Sequence, residues 1–260
     1  MEPGTVPGTD EGQAVREVAP HRRSYDALLS DIEAGLLSGE TSVGDQLAGE
    51  RALAEKYGIS RASVREAVRI LDAMGILDVP TNAGPRSGPV IISNPSRGLG
   101  SALRLHVAAK KLSVADIVET RILLETWAAR TAPERSTSED LEEARGLLEA
   151  MDAPDIGPSQ FHELDARFHV ALSRLGGNAV IETLMEALGG SISGYIGDAM
   201  AAMGDAPEVL DQLRGQHHAI FDAVLDGAPE DAAQLVHDHI FWLYDRARQE
   251  PADRRGSGAG

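Results

Sequence analysis

Four residues in the second half of the chain have the side-chain types and the spacing of a metal site. Asp165 and His169 are four residues apart, so on a helix both side chains point the same way and can ligate one ion. His217 and His239 lie on two later predicted helices. One carboxylate oxygen and three imidazole nitrogens suit Zn²⁺, Ni²⁺ or another borderline divalent metal, with positions left open for a further ligand.

Each of these histidines taken alone is more commonly a surface or core residue than a ligand. His218 and His237 also compete for the assignment, because each is a neighbour of a candidate ligand. Adjacent helical residues point about 100° apart, so His217 and His218 cannot both face one ion. The metal prediction therefore depends on the set of four residues rather than on any single histidine.

A second group of polar residues lies in the first third of the chain. Arg61 and Arg65 are four residues apart and share a helix face, with Ser63 close by. The inward stripe of the same helix is Val64, Val68 and Leu71. Ser60 can cap the helix and donate to a phosphate, and Arg51 begins the preceding helix, from which it can reach a DNA backbone. On an isolated helix these arginines would be interpreted as a solvated face.

The surrounding elements favour the DNA-reading interpretation. Periodicity and turn residues predict helices over 28–37, 49–57 and from Ser60 to Gly75, followed by strands over 76–79 and 90–92. This is the order of a winged helix-turn-helix, whose second motif helix enters the major groove and whose β-hairpin is the wing. We therefore predict such a domain over residues 21–95.

The remaining patterns indicate a mainly α fold. From residue 105 onward every strong pattern is helical, which predicts an all-α bundle of six or seven helices over 105–249. Residues 96–104 are predicted to be a linker from their Gly, Pro and Ser content. Residues 1–20 and 250–260 are predicted to be a disordered leader and tail.

Charge and composition limit the possible functions. The net charge of −17 argues against nucleic-acid binding, but acidic residues exceed basic ones by 12 in residues 93–260 and by only 2 in residues 21–92. Residues 51–69 hold five basic and two acidic residues, a small cationic patch that a dimer would double. The chain has no cysteine, no apolar run of about 20 residues and no secretory signal. We expect a cytoplasmic protein without a membrane segment.

The run GDQLAGERALAEKYGISRASVREAVRILDAMGIL resembles the DNA-binding domain of the GntR family. The resemblance implies that Arg51, Arg61 and Arg65 are phosphate- and base-contacting arginines and that a glycine of the wing reaches the minor groove. The wing here has TNAGPRSGP in place of a brief Gly-rich tip. Gly84, Arg86 and Gly88 remain alternative contacts at this tip.

The second half resembles the FCD effector-binding domain of the FadR subfamily. The matching stretches are ETRILLE (119–125), DARFHVAL with a following GGN (165–178), QHHAIFDAVLDG (216–227) and HDHIFW (237–242). In the resembling family this constellation holds a metal, and carboxylate effectors complete its coordination. Arg121 lies in an apolar helix, so it is either an internal ion pair with Glu119 or Glu125 or, as the resemblance implies, an anchor for an effector carboxylate. Asn178 is either a further effector contact or a helix cap.

These observations predict a ligand-responsive transcriptional regulator that is not an enzyme. We expect a homodimer that binds a palindromic operator on double-stranded DNA and responds to a small carboxylate at the metal. One alternative is a metal-dependent hydrolase-like domain fused to a DNA-binding module, although Glu163, the nearest base, faces elsewhere on the helix from Asp165. Another is a constitutive DNA-binding dimer without an effector.

Overall fold

The computed structural model describes residues 20–79, 88–202 and 207–249, and the chain divides into two compact units, Met1–Ser93 and Asn94–Gly260. The predicted disordered tail, the leader up to residue 19 and the wing-tip candidates Gly84 and Arg86 lie outside the described residues. None of the helices searched in the described part of the chain is long and apolar enough to span a membrane.

The first unit contains three helices and a two-stranded antiparallel hairpin. These are α1 (Pro20–Ser38), α2 (Glu50–Tyr57), α3 (Arg61–Ala73), β1 (Leu77–Asp78) and β2 (Val90–Ile91). The hairpin pairs Leu77 with Ile91 and Asp78 with Val90. One core joins all of these elements through Leu28, Ile32, Leu53, Val64, Leu71, Leu77 and Ile91. The predicted winged helix-turn-helix is confirmed.

Local signals set the turn between α2 and α3. Gly58 ends α2 in the left-handed region with φ 62°, where glycine has no Cβ penalty. Ser60 caps α3, because its side chain accepts a hydrogen bond from the Ser63 amide at 3.0 Å. These two residues place the start of α3 close behind the end of α2.

Gly88 has a packing role at the base of the wing. It is buried, and a Cβ added to it would lie 1.9 Å from the Leu47 carbonyl oxygen. Its own carbonyl accepts a hydrogen bond from Gln46 Nε2 at 3.1 Å, and the next residue, Pro89, accepts one from the Leu47 amide at 2.8 Å. Gly88 is therefore the point at which the second wing strand approaches the loop before α2.

The second unit is helical throughout its described residues. Its helices are α4 (Pro95–Ala108), α5 (Val114–Arg135), α6 (Ser138–Met151), α7 (Pro158–Leu175), α8 (Ala179–Ala202), α9 (Pro207–Leu225) and α10 (Pro229–Gln249). Helix α10 packs on α5 and α9, α7 packs on α5, α6 and α8, and α4 packs on α8. Two apolar clusters fill the space between them, one around Phe161, Phe168 and Leu213 and one around Leu172, Ile220 and Val236. The predicted mainly α fold class is confirmed.

The predicted linker over residues 96–104 is wrong, because this segment lies inside α4. Asn94 caps the helix by accepting a hydrogen bond from the Arg97 amide at 3.3 Å, and Pro95 occupies the first helical position, where proline is favoured. Gly100 is buried against α8, and a Cβ there would lie 3.4 Å from the Ala187 backbone. Pro95 thus begins the helix and Gly100 allows α4 to pack closely on α8, so the segment is not a flexible connection.

Candidate functional site

The four predicted metal ligands lie together in the interior of the second unit. Asp165 and His169 come from α7, His217 from α9 and His239 from α10, and one ligand atom of each lies within 4.8 Å of all the others. His239 Nε2 is 3.0 Å from His169 Nε2 and 3.3 Å from His217 Nε2. Asp165 Oδ1 is 3.0 Å from His217 Nε2 and 3.7 Å from His169 Nε2. We call these four residues the metal cluster.

Helix α7 places two polar side chains at buried positions of its inward stripe. Phe161, Phe168 and Leu172 are fully buried on the same helix, and Asp165 and His169 lie between them, each at most 4% exposed. The Phe168 ring also contacts the His217 ring at a centroid distance of 4.9 Å. Burial of polar groups costs free energy unless they are paired or bind an ion, so this arrangement needs a compensating interaction.

Burial and mutual contacts hold His217, His239 and Asp165 in the protonation states that bind metals. Desolvation lowers the pKa of His217 and holds that of His239 well below the usual value, so both imidazoles are neutral. Burial by itself raises the pKa of Asp165. The contact with His217 and the proximity of His169 outweigh this effect, so the pKa of Asp165 is lowered overall. Neutral imidazole and ionised carboxylate are the protonation states that a divalent cation requires.

Two neighbouring side chains, Glu125 and Gln216, orient the imidazoles of His169 and His239. His169 Nδ1 donates to Glu125 Oε2 at 2.5 Å, and His239 Nδ1 donates to Gln216 Oε1 at 2.8 Å. Each Nε2 lone pair is therefore turned towards the metal cluster. Neither Glu125 nor Gln216 was predicted to orient a ligand. The signals in the sequence were the position of Glu125 four residues after Arg121 and that of Gln216 next to His217.

The residues present fit a divalent metal. Asp165 Oδ1 is buried and has no hydrogen-bond partner, although His217 Nε2 is 3.0 Å away. Four of the six distances between ligand atoms of the metal cluster are 3.0–3.7 Å, which compares with about 3.3 Å in a tetrahedral zinc site. The competing histidines face other partners, His218 towards Asp152 at 2.9 Å and His237 towards Asp238 at 3.0 Å.

Arg121 lies beside the metal cluster and forms a buried ion pair. Its Nε donates to Glu125 Oε1 at 2.8 Å, and its side chain is 8% exposed. Burial by itself raises the pKa of Glu125, but the charge of Arg121 and the contact with His169 more than offset this and lower the pKa overall. Of the two ion-pair partners considered for Arg121, the structure selects Glu125, whereas Glu119 is exposed.

A pocket adjoins the metal cluster, and Arg121 is part of its wall. The described residues that line this inner pocket are Arg121, His162, Asp165, Ala166, His169, Val170, Met185 and Gly189. Asn178 is absent from this wall: its side chain accepts hydrogen bonds from the amides of Val180 at 3.1 Å and Ile181 at 3.4 Å and so caps α8. The inner pocket thus combines a guanidinium, a carboxylate and imidazoles with small apolar side chains.

The first unit presents the predicted DNA-reading arginines on one exposed surface. Arg61 and Arg65 are 65% and 52% exposed on α3, and Glu50 Oε2 lies 3.9 Å from Arg61 Nη2 and 3.6 Å from Arg65 Nη1. Arg51 is exposed on α2 and pairs with Glu55 at 3.1 Å. Exposed pairs of this kind contribute little to stability, so these guanidinium groups can exchange a carboxylate for a phosphate or a base.

Comparisons with known proteins identify both units. The family model "Bacterial regulatory proteins, gntR family" matches residues 24–85, and the FCD domain model matches residues 116–241. The HTH-type transcriptional regulator LutR of Bacillus subtilis (strain 168) is 30% identical over 207 residues, which cover 77% of this chain and 91% of that protein. The chain belongs to the gntR family of bacterial regulatory proteins.

Other gntR-family members extend the similarity along most of the chain. The Glc operon transcriptional activator of Escherichia coli (strain K12) is 25% identical over 221 residues, which cover 83% of this chain and 85% of that protein. A solved structure titled Streptococcus agalactiae GntR is 26% identical, covers 86% of this chain and 99% of that one, and superposes with a TM-score of 0.58. The predicted family, with its DNA-binding and FCD domains, is confirmed.

Proposed function

We propose that this gntR-family regulator binds a two-fold symmetric operator as a homodimer and that a small carboxylate, bound at a divalent metal in the second unit, controls its DNA affinity. The observation that carries the proposal is the metal cluster, whose four buried ligand atoms converge beside a pocket that also contains Arg121. A buried charged pocket in a DNA-binding regulator is suited to sensing an anion.

The roles of the chain's own residues follow from their positions. Asp165, His169, His217 and His239 would hold the metal, Zn²⁺ or Ni²⁺ by ligand type, and the metal would supply positive charge and coordination positions for a carboxylate oxygen. Arg121 is held by Glu125 and lines the inner pocket, and its remaining N–H groups would bind the effector bidentately. Asn178 caps α8, so its proposed effector contact has less support.

The buried charges favour a singly charged anion. Arg121 carries one positive charge, and the carboxylates of Glu125 and Asp165 carry one negative charge each, since both pKa values are lowered. A divalent cation would bring this buried group from a net charge of −1 to +1. One carboxylate would neutralise it, which reduces the cost of keeping all of these charges away from water.

DNA contact would come from the first unit of two chains. Arg61 and Arg65 would read bases, and Arg51, Ser60 and Ser63 would contact phosphates, with Gly84 and Arg86 as wing candidates. The chain carries a net charge of −17, so the few exposed arginines of one copy meet strong repulsion from DNA. A homodimer doubles the specific contacts and matches a palindromic operator.

Helix α4 would connect effector binding with DNA binding. It begins at Pro95, four residues after β2 ends, and packs on α8, which contributes Met185 and Gly189 to the inner pocket. A shift of α8 on effector binding would therefore reach the segment that follows the wing directly. This role replaces that of the flexible linker predicted from the sequence.

Metal analysis tests the proposal. We expect about one divalent ion per chain in wild type after reloading and far less in His169→Ala and His217→Ala. His237→Ala is the matched control, since this exposed histidine faces Asp238 and should leave the metal content unchanged. A thermal-shift screen of small organic acids on loaded and metal-free protein then tests the effector site. Equal metal content in all four proteins, or effector shifts that do not require metal, would contradict the proposal.

A further inference from the structure

Two pockets of the second unit share one wall. The inner pocket contains Arg121 and part of the metal cluster, and a second, outer pocket opens to solvent alongside α6, α7 and α8. The described residues common to both linings are Ala166, Val170 and Gly189. These three small or medium-sized residues therefore separate the metal cluster from solvent on this side of the unit.

Gly189 is an unexpected residue for its position. It lies within α8, where glycine lowers helix stability relative to alanine because it increases the freedom of the unfolded chain. Its backbone is helical, so no positive φ requires glycine. A Cβ added to it would meet no heavy atom within 4 Å among the described residues. Neither backbone conformation nor packing accounts for the missing side chain.

Other glycines of the same unit have neighbouring atoms where a Cβ would lie, and at Gly176 these atoms leave no room for one. A Cβ at Gly176 would lie 2.9 Å from Ala128 Cα, and one at Gly100 would lie 3.4 Å from the Ala187 backbone. Gly190, adjacent to Gly189, lines the outer pocket but not the inner one, and its Cβ would lie 3.5 Å from Arg104 Nη1. Helical Gly146 and Gly215 also have open space for a Cβ, but they line neither pocket, so Gly189 is distinguished by its place in both linings.

The inner end of this route has an unsatisfied polar group. Asp165 is 4% exposed, and its Oδ1 has no partner with hydrogen-bond geometry, although His217 Nε2 lies 3.0 Å away. We propose that Gly189 is the gate residue of a passage between the outer and inner pockets, through which metal and effector reach the metal cluster. The inference rests on the proposed function for the nature of what enters.

The gate also limits the class of effector. The polar groups of the inner pocket are at its Arg121, Asp165 and His169 side, whereas its boundary with the outer pocket is small and apolar. A bound carboxylate would place its charged end at the metal and direct its substituent past Gly189. A side chain added at Gly189 would therefore exclude effectors with bulky substituents first.

The test compares Gly189→Leu with Gly190→Leu in the full-length protein. Both changes add the same side chain to neighbouring positions of one helix, and both increase helix propensity. The probe is Zn²⁺, and the measurement is the rate at which excess chromogenic chelator removes it from the loaded protein. We expect Gly189→Leu to slow removal by about tenfold, because the ion or chelator must wait for an opening, and Gly190→Leu to match wild type.

The outcomes separate this inference from the proposed function. A wild-type protein that binds no Zn²⁺ overturns both. A loaded wild type whose removal rate is unchanged by Gly189→Leu, or slowed equally by Gly190→Leu, overturns the gate alone. If Gly189→Leu does not fold, Gly189→Ala provides the same comparison with Gly190→Ala: slower removal only at position 189 supports the gate, and equal rates overturn it.

Discussion

Glu125 joins two buried side chains, Arg121 and His169. Its two oxygens bind Arg121 and His169, and the side chain is fully buried. Removing one member of such a group leaves the other charges without compensation, which is more damaging than the net value of the pair suggests. Glu125 therefore positions both the proposed anion anchor, Arg121, and the proposed metal ligand His169.

Glu125→Gln is expected to destabilise the protein by about 3 kcal/mol, because Arg121 would remain buried without its counter-charge. Metal affinity should fall by about 10- to 100-fold, since His169 would lose the acceptor that orients it. Urea unfolding and metal titration measure the two effects. Glu119→Gln is the control, because it makes the same change on the exposed side of α5. Its free energy of unfolding should stay within about 0.5 kcal/mol of that of wild type.

The exposed arginines of the first unit should separate into two classes. Arg65→Ala is expected to weaken the free energy of binding to the preferred operator by about 1–3 kcal/mol, because a base contact is lost. The variant protein should also discriminate less between operator sequences. Arg51→Ala should weaken binding to all sequences alike and reduce the salt dependence, as expected for a phosphate contact. Operator selection followed by binding titrations at several salt concentrations measures both. Tight, specific binding by Arg61→Ala plus Arg65→Ala would refute the assignment of α3.

At the scale of elements, both units depend on helix termini set by short local signals. Ser113 and Thr137 form reciprocal capping boxes with Asp116 and Asp140 at the starts of α5 and α6. Ser60 performs the corresponding role for α3, with a single accepted hydrogen bond. The first turn of α3 is thus stabilised by one side-chain oxygen, whereas the rest of the helix is held by its buried residues.

Ser60→Ala should therefore lower the stability of α3 by about 1 kcal/mol through loss of the cap. Amide hydrogen exchange along α3 is the appropriate measurement, because it reports local opening rather than global unfolding. Ser63→Ala is the matched control: it removes the Ser60–Ser63 hydroxyl contact of 2.9 Å but keeps the Ser63 amide that donates to Ser60. Equal protection in wild type and Ser60→Ala would show that tertiary packing alone holds this helix.

At the scale of the whole molecule, DNA and effector binding belong to separate units of one chain. Proposed coupling between them must be reciprocal, because a linked equilibrium changes each affinity by the same factor. A coupling of 1–3 kcal/mol, typical of allosteric proteins, corresponds to about 5- to 150-fold in affinity. The proposed path runs through α8 and α4.

We expect saturating operator DNA to change effector affinity by the same factor by which effector changes operator affinity. Calorimetric titrations of effector with and without operator, and of operator with and without effector, give the two factors. Gly100→Val should reduce both coupling factors equally, because the valine side chain would separate α4 from Ala187 of α8. Effector affinity that is indifferent to operator would rule out this coupling.

Much of the architecture could be predicted from the sequence because the signals were local. Helical spacing of apolar residues, Gly58 after α2 and Ser60 before α3 specify the helix-turn-helix without reference to distant parts of the chain. The pair of Asp165 and His169 was equally predictable, since spacing on one helix sets their common direction. The prediction of a linker over 96–104 was wrong because its Gly, Pro and Ser content is typical of a flexible segment. In the structure this segment is helical and packs against α8.

The sequence by itself determined which residue types could form the metal cluster and the DNA-reading surface. Only the tertiary structure decided which of these residues meet when they are far apart in the sequence. In it His217 rather than His218 faces inward, Arg121 pairs with Glu125, and Glu125 contacts His169, which lies 44 residues away in the chain. The physical reason is that side-chain direction along one helix follows from its period, whereas convergence of three helices depends on how their buried faces pack.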